Sequence, residues 1–289
     1  MKKTSFVLAS LMLIISFAFA SKAQAQECVS QVDTVAVTSQ KMGRDIKNVV
    51  IVPAQYHDID WQEKCYPVLY LLHGYGGTYG DWIKKKPELQ DLATDFGLII
   101  VCPDGQDSWY LDSPIDPNSQ FETYITKELV EYIDSNYRTF DNPENRAITG
   151  LSMGGHGGMS LGLKHPEIYG QCGSMSGGVN IVPFPEKWKI KLRLGTQEEN
   201  PELWEQNSVI NIARGIESTN QRIYIDCGVS DFFYKVNEDL HALLLEKKID
   251  HEYTTRPGNH TWPYWCNSID FQVLFFSKGF AEAAAKTAH

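Results

Sequence analysis

The stretch Gly150-Leu151-Ser152-Met153-Gly154 sets one hydroxyl among glycines in the pattern G-x-S-x-G. A serine hydroxyl is a poor nucleophile at neutral pH and attacks a carbonyl only with a base beside it. The flanks say where this serine sits. "RAITG" upstream reads as a strand, and Met153 to Lys164 reads as a glycine-studded helix. Ser152 therefore falls at a sharp strand-to-helix turn, which leaves its Oγ exposed. Bulky neighbours would clash in so tight a turn, and Gly150, Gly154 and Gly155 have no side chain to offer. The helix N-terminus beneath favours negative charge developing there. The chemistry this allows is acyl transfer through a covalent ester on Ser152.

Such a serine needs an acid and then a histidine later in the chain. "RIYIDCGVSDFFY" puts Asp226 inside a strand and Asp231 three residues past the glycine that ends it. Asp231 lies in the strand-end loop and is the expected acid; Asp226 is expected to be buried in the sheet or turned aside. Glu238 and Asp239 fall on the next helix, as on a solvated face. "HEYTTRPGNHTWPYW" offers His260 in a Pro-Gly loop after a strand, the place for the base, while His251 opens that strand at the opposite edge. His156, one turn past Ser152, reads as packed under the turn. The acyl oxygen needs donors where its charge develops. The Met153 N–H is one, and the loop "HGYGGTYGDW" supplies the other, with the Tyr75 N–H expected to donate and His73 and Gly74 shaping the loop.

The elements that must position these groups alternate along the chain. "DTVAVTS" and "KNVVIVPAQY" read as an opening strand pair. "YPVLYLLHG" and "LIIVCPDG" are continuous apolar runs, as strands buried on both faces would be. "PELQDLATDFG" reads as a helix stopped at Gly97, and "QFETYITKELVEYIDSNYR" has apolar residues at helical spacing. Strands "CGSMSG", "RIYIDCG" and "HEYTTRPG", a helix "VNEDLHALLLEKKI" and a last helix near Cys266 to Phe280 follow. Residues 179–221 break the rhythm with prolines, Trp188 and Trp204, and are expected to form a small cap-like insertion. The expected fold is α/β, a mostly parallel sheet with helices on both faces. Its functional groups should collect at the carboxyl ends of the strands.

Residues 1–25 resemble a secretory signal peptide: Lys2 and Lys3 precede an apolar run from Phe6 to Ala20, with small-residue cleavage patterns at Ala18-Phe19-Ala20 and Ala23-Gln24-Ala25. The protein is thus expected in the periplasm or outside the cell, as one domain over 26–289. The formal charge is −10 for 289 residues, and losing Lys2, Lys3 and Lys22 with the signal makes it about −13. Such a balance disfavours nucleic acid and anionic membranes as partners. No later segment is long and apolar enough to span a bilayer. Six cysteines are spread without metal-ligand spacing. Cys102, Cys172 and Cys227 lie in strand-like runs, and Cys28, Cys65 and Cys266 leave room for one disulfide of undetermined pairing. Oligomeric state is not legible.

Taken together, "YLLHGYGGTYGDW", "GLSMGGHGGM", "CGVSDFF" and "GNHTWPYW" resemble the esterase D branch of the α/β-hydrolases, over nearly all of Val49 to Phe276. That branch includes S-formylglutathione hydrolases, tributyrin-type esterases, the feruloyl and acetylxylan esterases of carbohydrate esterase family 1, and mycolyltransferases. The resemblance implies a triad of Ser152, Asp231 and His260, an oxyanion hole of the Tyr75 and Met153 amides, and no metal or organic cofactor. With export, it implies a carboxylesterase acting on acetyl or feruloyl esters of plant polysaccharide, with a broad short-chain carboxylesterase, an acyltransferase or a non-catalytic binding module as alternatives. Trp109, Tyr110, Trp188 and Trp204, in or beside the edge loops, are then expected to stack on sugar or ferulate rings. Trp262 and Trp265 are expected to pack.

Overall fold

The computed structural model describes residues 30–287; the expected signal peptide and Cys28 lie outside the described residues. The strands are β1 (Gln31–Ser39), β2 (Arg44–Val52), β3 (Val68–Leu72), β4 (Ile99–Pro103), β5 (Arg146–Gly150), β6 (Gln171–Met175), β7 (Arg222–Gly228) and β8 (Glu252–Arg256). They form one sheet in the order β1-β2-β4-β3-β5-β6-β7-β8. The opening pair β1–β2 is antiparallel, β2 pairs antiparallel with β4, and β3 to β8 run parallel.

Every residue of β3, β4, β5 and β6 is buried, because helices cover both faces of a parallel sheet. The two-residue period of a strand then divides the core in two. Tyr70, Leu72, Val101, Ile148 and Ile223 face one layer, while Leu69, Leu71, Ile100 and Ala147 face the other. The helices follow in chain order. α1 (Asp81–Lys85) and α2 (Leu89–Phe96) come first, and α2 stops at Gly97, whose φ of 60° is left-handed. α3 (Phe121–Thr123) and α4 (Leu129–Asn136) join through one π-helical stretch, Tyr124–Glu128. α5 is Met153–Lys164; α6 (Lys191–Leu194), α7 (Pro201–Gln206) and α8 (Val209–Gly215) precede β7; α9 is Tyr234–Glu246 and α10 is Trp262–Thr287. Leu89, Ala93, Ile269, Val273 and Phe276 bring α2 and α10 to one layer, whereas Met159, Leu161, Ala213 and Leu240 bring α5, α8 and α9 to the other.

The register fixes which loops are neighbours. Leu72 pairs with Gly150, so the loops after β3 and β5 leave the sheet side by side. Gly228 pairs with Arg256, which does the same for the loops after β7 and β8. Two elements differ from the sequence expectation. Residues 191–215 form three helices of 4, 6 and 7 residues, too short to show a helical period. The last helix starts at Trp262 rather than near Cys266, since Pro263 sits in its first turn, where a missing N–H costs nothing. Cys102, Cys172 and Cys227 are buried, and Cys65 and Cys266 are unpaired thiols. No helix among the described residues is long and apolar enough to cross a membrane.

One ion cluster ties α3 to α5. Glu122 accepts from Lys164 Nζ at 2.9 Å and from His165 Nε2 at 3.0 Å. Burial works against the Glu122 carboxylate, but His165 and Lys164 outweigh it and hold its pKa at about 2. The hydrogen bond to Glu122 raises that of His165. Glu122 therefore stabilises the fold above its unfolded pKa, and this is lost as pH falls towards 2. His165 stabilises below its unfolded pKa, and this is lost as pH rises through its folded one. Glu122→Gln should cost about 2 kcal/mol near pH 5–6, where both are charged. Urea denaturation across pH should show the deficit shrinking as pH falls from about 4.5 towards 2 and, in part, as pH rises through the raised pKa of His165.

Candidate active site

Ser152 stands between β5 and α5 with φ 55° and ψ −114°, a conformation that a residue with a Cβ rarely adopts. Its N–H donates to Met175 O at 2.9 Å, and its carbonyl accepts from His156 N at 3.0 Å and Gly178 N at 3.3 Å. The turn is pressed against the end of β3. A Cβ at Gly150 would lie 2.6 Å from Leu72 O, and one at Gly154 only 2.5 Å from the same atom. Only glycine lets the strand, turn and helix approach this closely.

His260 Nε2 is 2.8 Å from Ser152 Oγ, and its Nδ1 is 2.9 Å and 3.1 Å from the two carboxylate oxygens of Asp231. A carboxylate only accepts, so Nδ1 carries the proton and the Nε2 lone pair faces the serine O–H. The Phe233 N–H donates to Asp231 Oδ1 at 2.8 Å and orients the acid. The Asp231 side chain is fully buried, and 16% of the His260 side chain is exposed. The imidazole is packed by Trp265, edge-on with centroids 4.9 Å apart, and by Phe232 at 4.2 Å. This arrangement can move a proton from Ser152 to His260 while a fixed negative charge supports the imidazolium.

Asp226 is turned aside. Its carboxylate accepts from Arg256 through Oδ2 and from Tyr264 through Oδ1. Burial raises its pKa against the pull of both. His251 accepts at Nε2 from His241 Nδ1 at 2.7 Å and donates from Nδ1 to Ile249 O at 2.8 Å, away from the serine. His156 is buried under the turn, its ring nitrogens 3.1 Å from Trp109 O and 2.8 Å from Asn207 O.

The loop after β3 is set by His73. The Gly105 N–H donates to its Nε2 at 2.8 Å, so Nδ1 carries the proton and donates to Gly74 O at 2.7 Å. A Cβ on Gly74 would lie 3.4 Å from Ser152 Cβ, which brings this loop against the serine. Asp107 Oδ1 accepts from Gly76 N at 3.0 Å and pins the loop's far side. Met153 opens α5, so its N–H belongs to the first turn that a helix leaves without an acceptor of its own. The Tyr75 and Met153 amides, the expected oxyanion donors, therefore belong to two chain segments that meet at Ser152.

The structure corrects three of the four expected substrate aromatics. Trp109, Tyr110 and Trp204 are buried in the core. Tyr110 fills the space left by Gly105 and Gly157 and donates its O–H to His73 O at 3.1 Å. Trp204 Nε1 donates to Gly195 O at 3.1 Å within the 179–221 segment. Trp109 lies behind Trp188 and donates to its carbonyl at 3.3 Å. Trp188 alone is partly open at the site. Trp262 and Trp265 pack, against Trp82 and His260 respectively. Phe232 and Phe233 also lie beside His260, at 4.2 Å and 5.5 Å, a placement the sequence does not mark. Their one signal is the aromatic pair directly after Asp231.

The sheet order, with the serine turn after β5, the acid after β7 and the histidine after β8, is that of an α/β-hydrolase. The chain belongs to the esterase family whose model, described as "Putative esterase", matches residues 39–276. It is a serine carboxylic ester hydrolase. It is 26% identical to an acetyl esterase of Caldicellulosiruptor saccharolyticus over 73% of this chain and 83% of that one. It is 28% identical to an S-formylglutathione hydrolase of Bos taurus over 74% and 83%. Among solved structures it is similar to a ferulic acid esterase, with a TM-score of 0.75 and 25% identity over 87% of this chain and 99% of that one.

Asp226→Asn should separate the two acids. Removing a buried charge opposite Arg256 should lower stability by about 3 kcal/mol. The kcat/KM of the folded fraction should stay within about threefold. Denaturant melts and steady-state kinetics on one preparation check both outcomes.

Proposed function

We propose that this protein is an exported esterase that deacylates plant polysaccharide, releasing acetate or a hydroxycinnamate. In this reading Ser152 is the nucleophile, His260 the general base and Asp231 the orienting acid. The Tyr75 and Met153 amides stabilise the oxyanion. The observation that carries it is the unbroken line from buried Asp231 through the two ring nitrogens of His260 to Ser152 Oγ, 2.9 Å and then 2.8 Å.

His260 takes the Ser152 proton as Oγ attacks the ester carbonyl. Asp231 stabilises the imidazolium without taking its proton. The oxyanion forms between the two amides, where charge develops and water is displaced. The protonated imidazole gives its proton to the alcohol oxygen, which leaves, and water repeats the sequence on the acyl-enzyme. Segment 179–221 acts as a cap and lends Trp188 to the substrate. No metal or organic cofactor has a role in these steps.

Three features support the substrate and compartment. The relatives include proteins named acetyl esterase and ferulic acid esterase. The net charge of −10 suits a neutral carbohydrate ester better than an acidic partner. The signal-like residues 1–25 point to export, which separates the reading from the largely cytosolic chemistry of glutathione thioesters.

Ser152→Ala should reduce kcat by roughly 10⁶-fold and Asp231→Asn by roughly 10⁴-fold. Near-normal turnover in the alanine variant would end the proposal. Wild-type kcat/KM on acetylated xylan, methyl ferulate and p-nitrophenyl butyrate checks the substrate: the xylan ester or the ferulate should lead. A lead for the butyrate would favour a broad short-chain esterase.

A further inference from the structure

Phe232 has no part in the acyl-transfer steps, yet the residue is 55% exposed while its ring lies against the imidazole of His260. A lone exposed phenylalanine means little. This one is neither alone nor loosely held. It stacks on Trp188, with centroids 5.8 Å apart and planes at 20°, and its other neighbour is Phe233 at 4.7 Å. Its loop is tied to the strand and loop that carry His260: Val229 N–H donates to Arg256 O at 3.0 Å and Ser230 N–H to Gly258 O at 2.9 Å. Phe232 is thus fixed relative to the histidine.

Trp188 is held as firmly. It and Lys189 have φ of 48° and 55°, and Trp109 and Tyr110 have 57° and 59°. Non-glycine residues stay in this left-handed region only where their surroundings over-determine them. Here the two strained pairs brace each other, since Trp109 Nε1 donates to Trp188 O and the two indoles lie 5.9 Å apart. Behind them, His156 sits 3.1 Å from Trp109 O. The exposed Phe232 ring and the partly open Trp188 ring form a wall that exists before substrate arrives, which keeps the ordering cost of binding low.

The position of the wall selects one half of the ester. His260 Nε2 must reach the alcohol oxygen to protonate it, at hydrogen-bond distance. Whatever that oxygen carries is therefore brought beside the imidazole, where Phe232 lies. The acyl group instead extends from the carbon bonded to Ser152, whose oxygen is directed at the Met153 and Tyr75 amides. We infer that Phe232 and Trp188 form the subsite for the alcohol half of the ester, shaped for a ring that presents a flat apolar face, as a sugar does with its C–H face. This rests on the reading of Ser152 and His260 given above.

The test uses three esters of similar alkoxide basicity: ethyl acetate, benzyl acetate and ethyl 3-phenylpropanoate. In Phe232→Ala and Trp188→Ala, the ratio of kcat/KM for benzyl over ethyl acetate should fall about three- to tenfold, chiefly through KM. The ratio for ethyl 3-phenylpropanoate over ethyl acetate should hold within about twofold, and Phe232→Tyr should restore the first ratio. A fall in the phenylpropanoate ratio instead would put the wall on the acyl side and overturn the inference. Unchanged ratios, with or without a common fall in kcat, would make the two rings mere packing for His260 and also overturn it. A wild-type protein that turns over none of the three would refute the underlying catalytic reading. Phe232 is exposed, so its variants should keep the wild-type melting temperature even if those of Trp188 do not.

Discussion

The site depends on one residue being held in a backbone conformation it would not choose. Ser152, at φ 55° and ψ −114°, costs on the order of 1–3 kcal/mol relative to a relaxed backbone. It stays there because both its backbone groups are bonded into neighbouring segments and because Gly150 and Gly154 let the turn close onto Leu72 O. The same closeness places the loop after β3 against the serine, so the turn presents the hydroxyl and brings the two expected oxyanion donors together.

A second constraint is electrostatic separation. Two aspartates lie within five residues of each other on β7 and its loop, and their surroundings give them different work. Asp226 is consumed by Arg256 and Tyr264 and fastens β7 to β8 and α10. Asp231 accepts from the Phe233 amide and from His260, so its charge is directed at the imidazole. Had the Arg256 guanidinium faced Asp231, the histidine would have lost the partner that fixes its tautomer.

Much of this is legible in the residues. β3 and β4 read as apolar runs because a doubly covered sheet hides every one of their side chains, and the order Ser152, Asp231, His260 follows from where β5, β7 and β8 end. The aromatics were not legible. Trp109, Tyr110 and Trp204 lie in loops or short helices near the right edge, but sequence does not say whether a loop side chain turns outward or back into the core. Here bare glycines at 105 and 157 make room for Tyr110, and a backbone carbonyl awaits each indole N–H. The short helices of residues 191–215 escaped for a different reason: one or two turns carry no measurable period. Phe232 was hidden because adjacency to Asp231 in sequence does not reveal that its ring lies on His260.

The central claim is that Ser152 is the activated hydroxyl of this fold. It is tested most directly by treating the protein with a fluorophosphonate and mapping the adduct by peptide mass spectrometry. One phosphonylated residue is expected, Ser152, with activity lost in proportion to labelling and little labelling in His260→Gln. Inactivation with the adduct on another residue, or an unlabelled Ser152 in a protein that still hydrolyses esters, would contradict it.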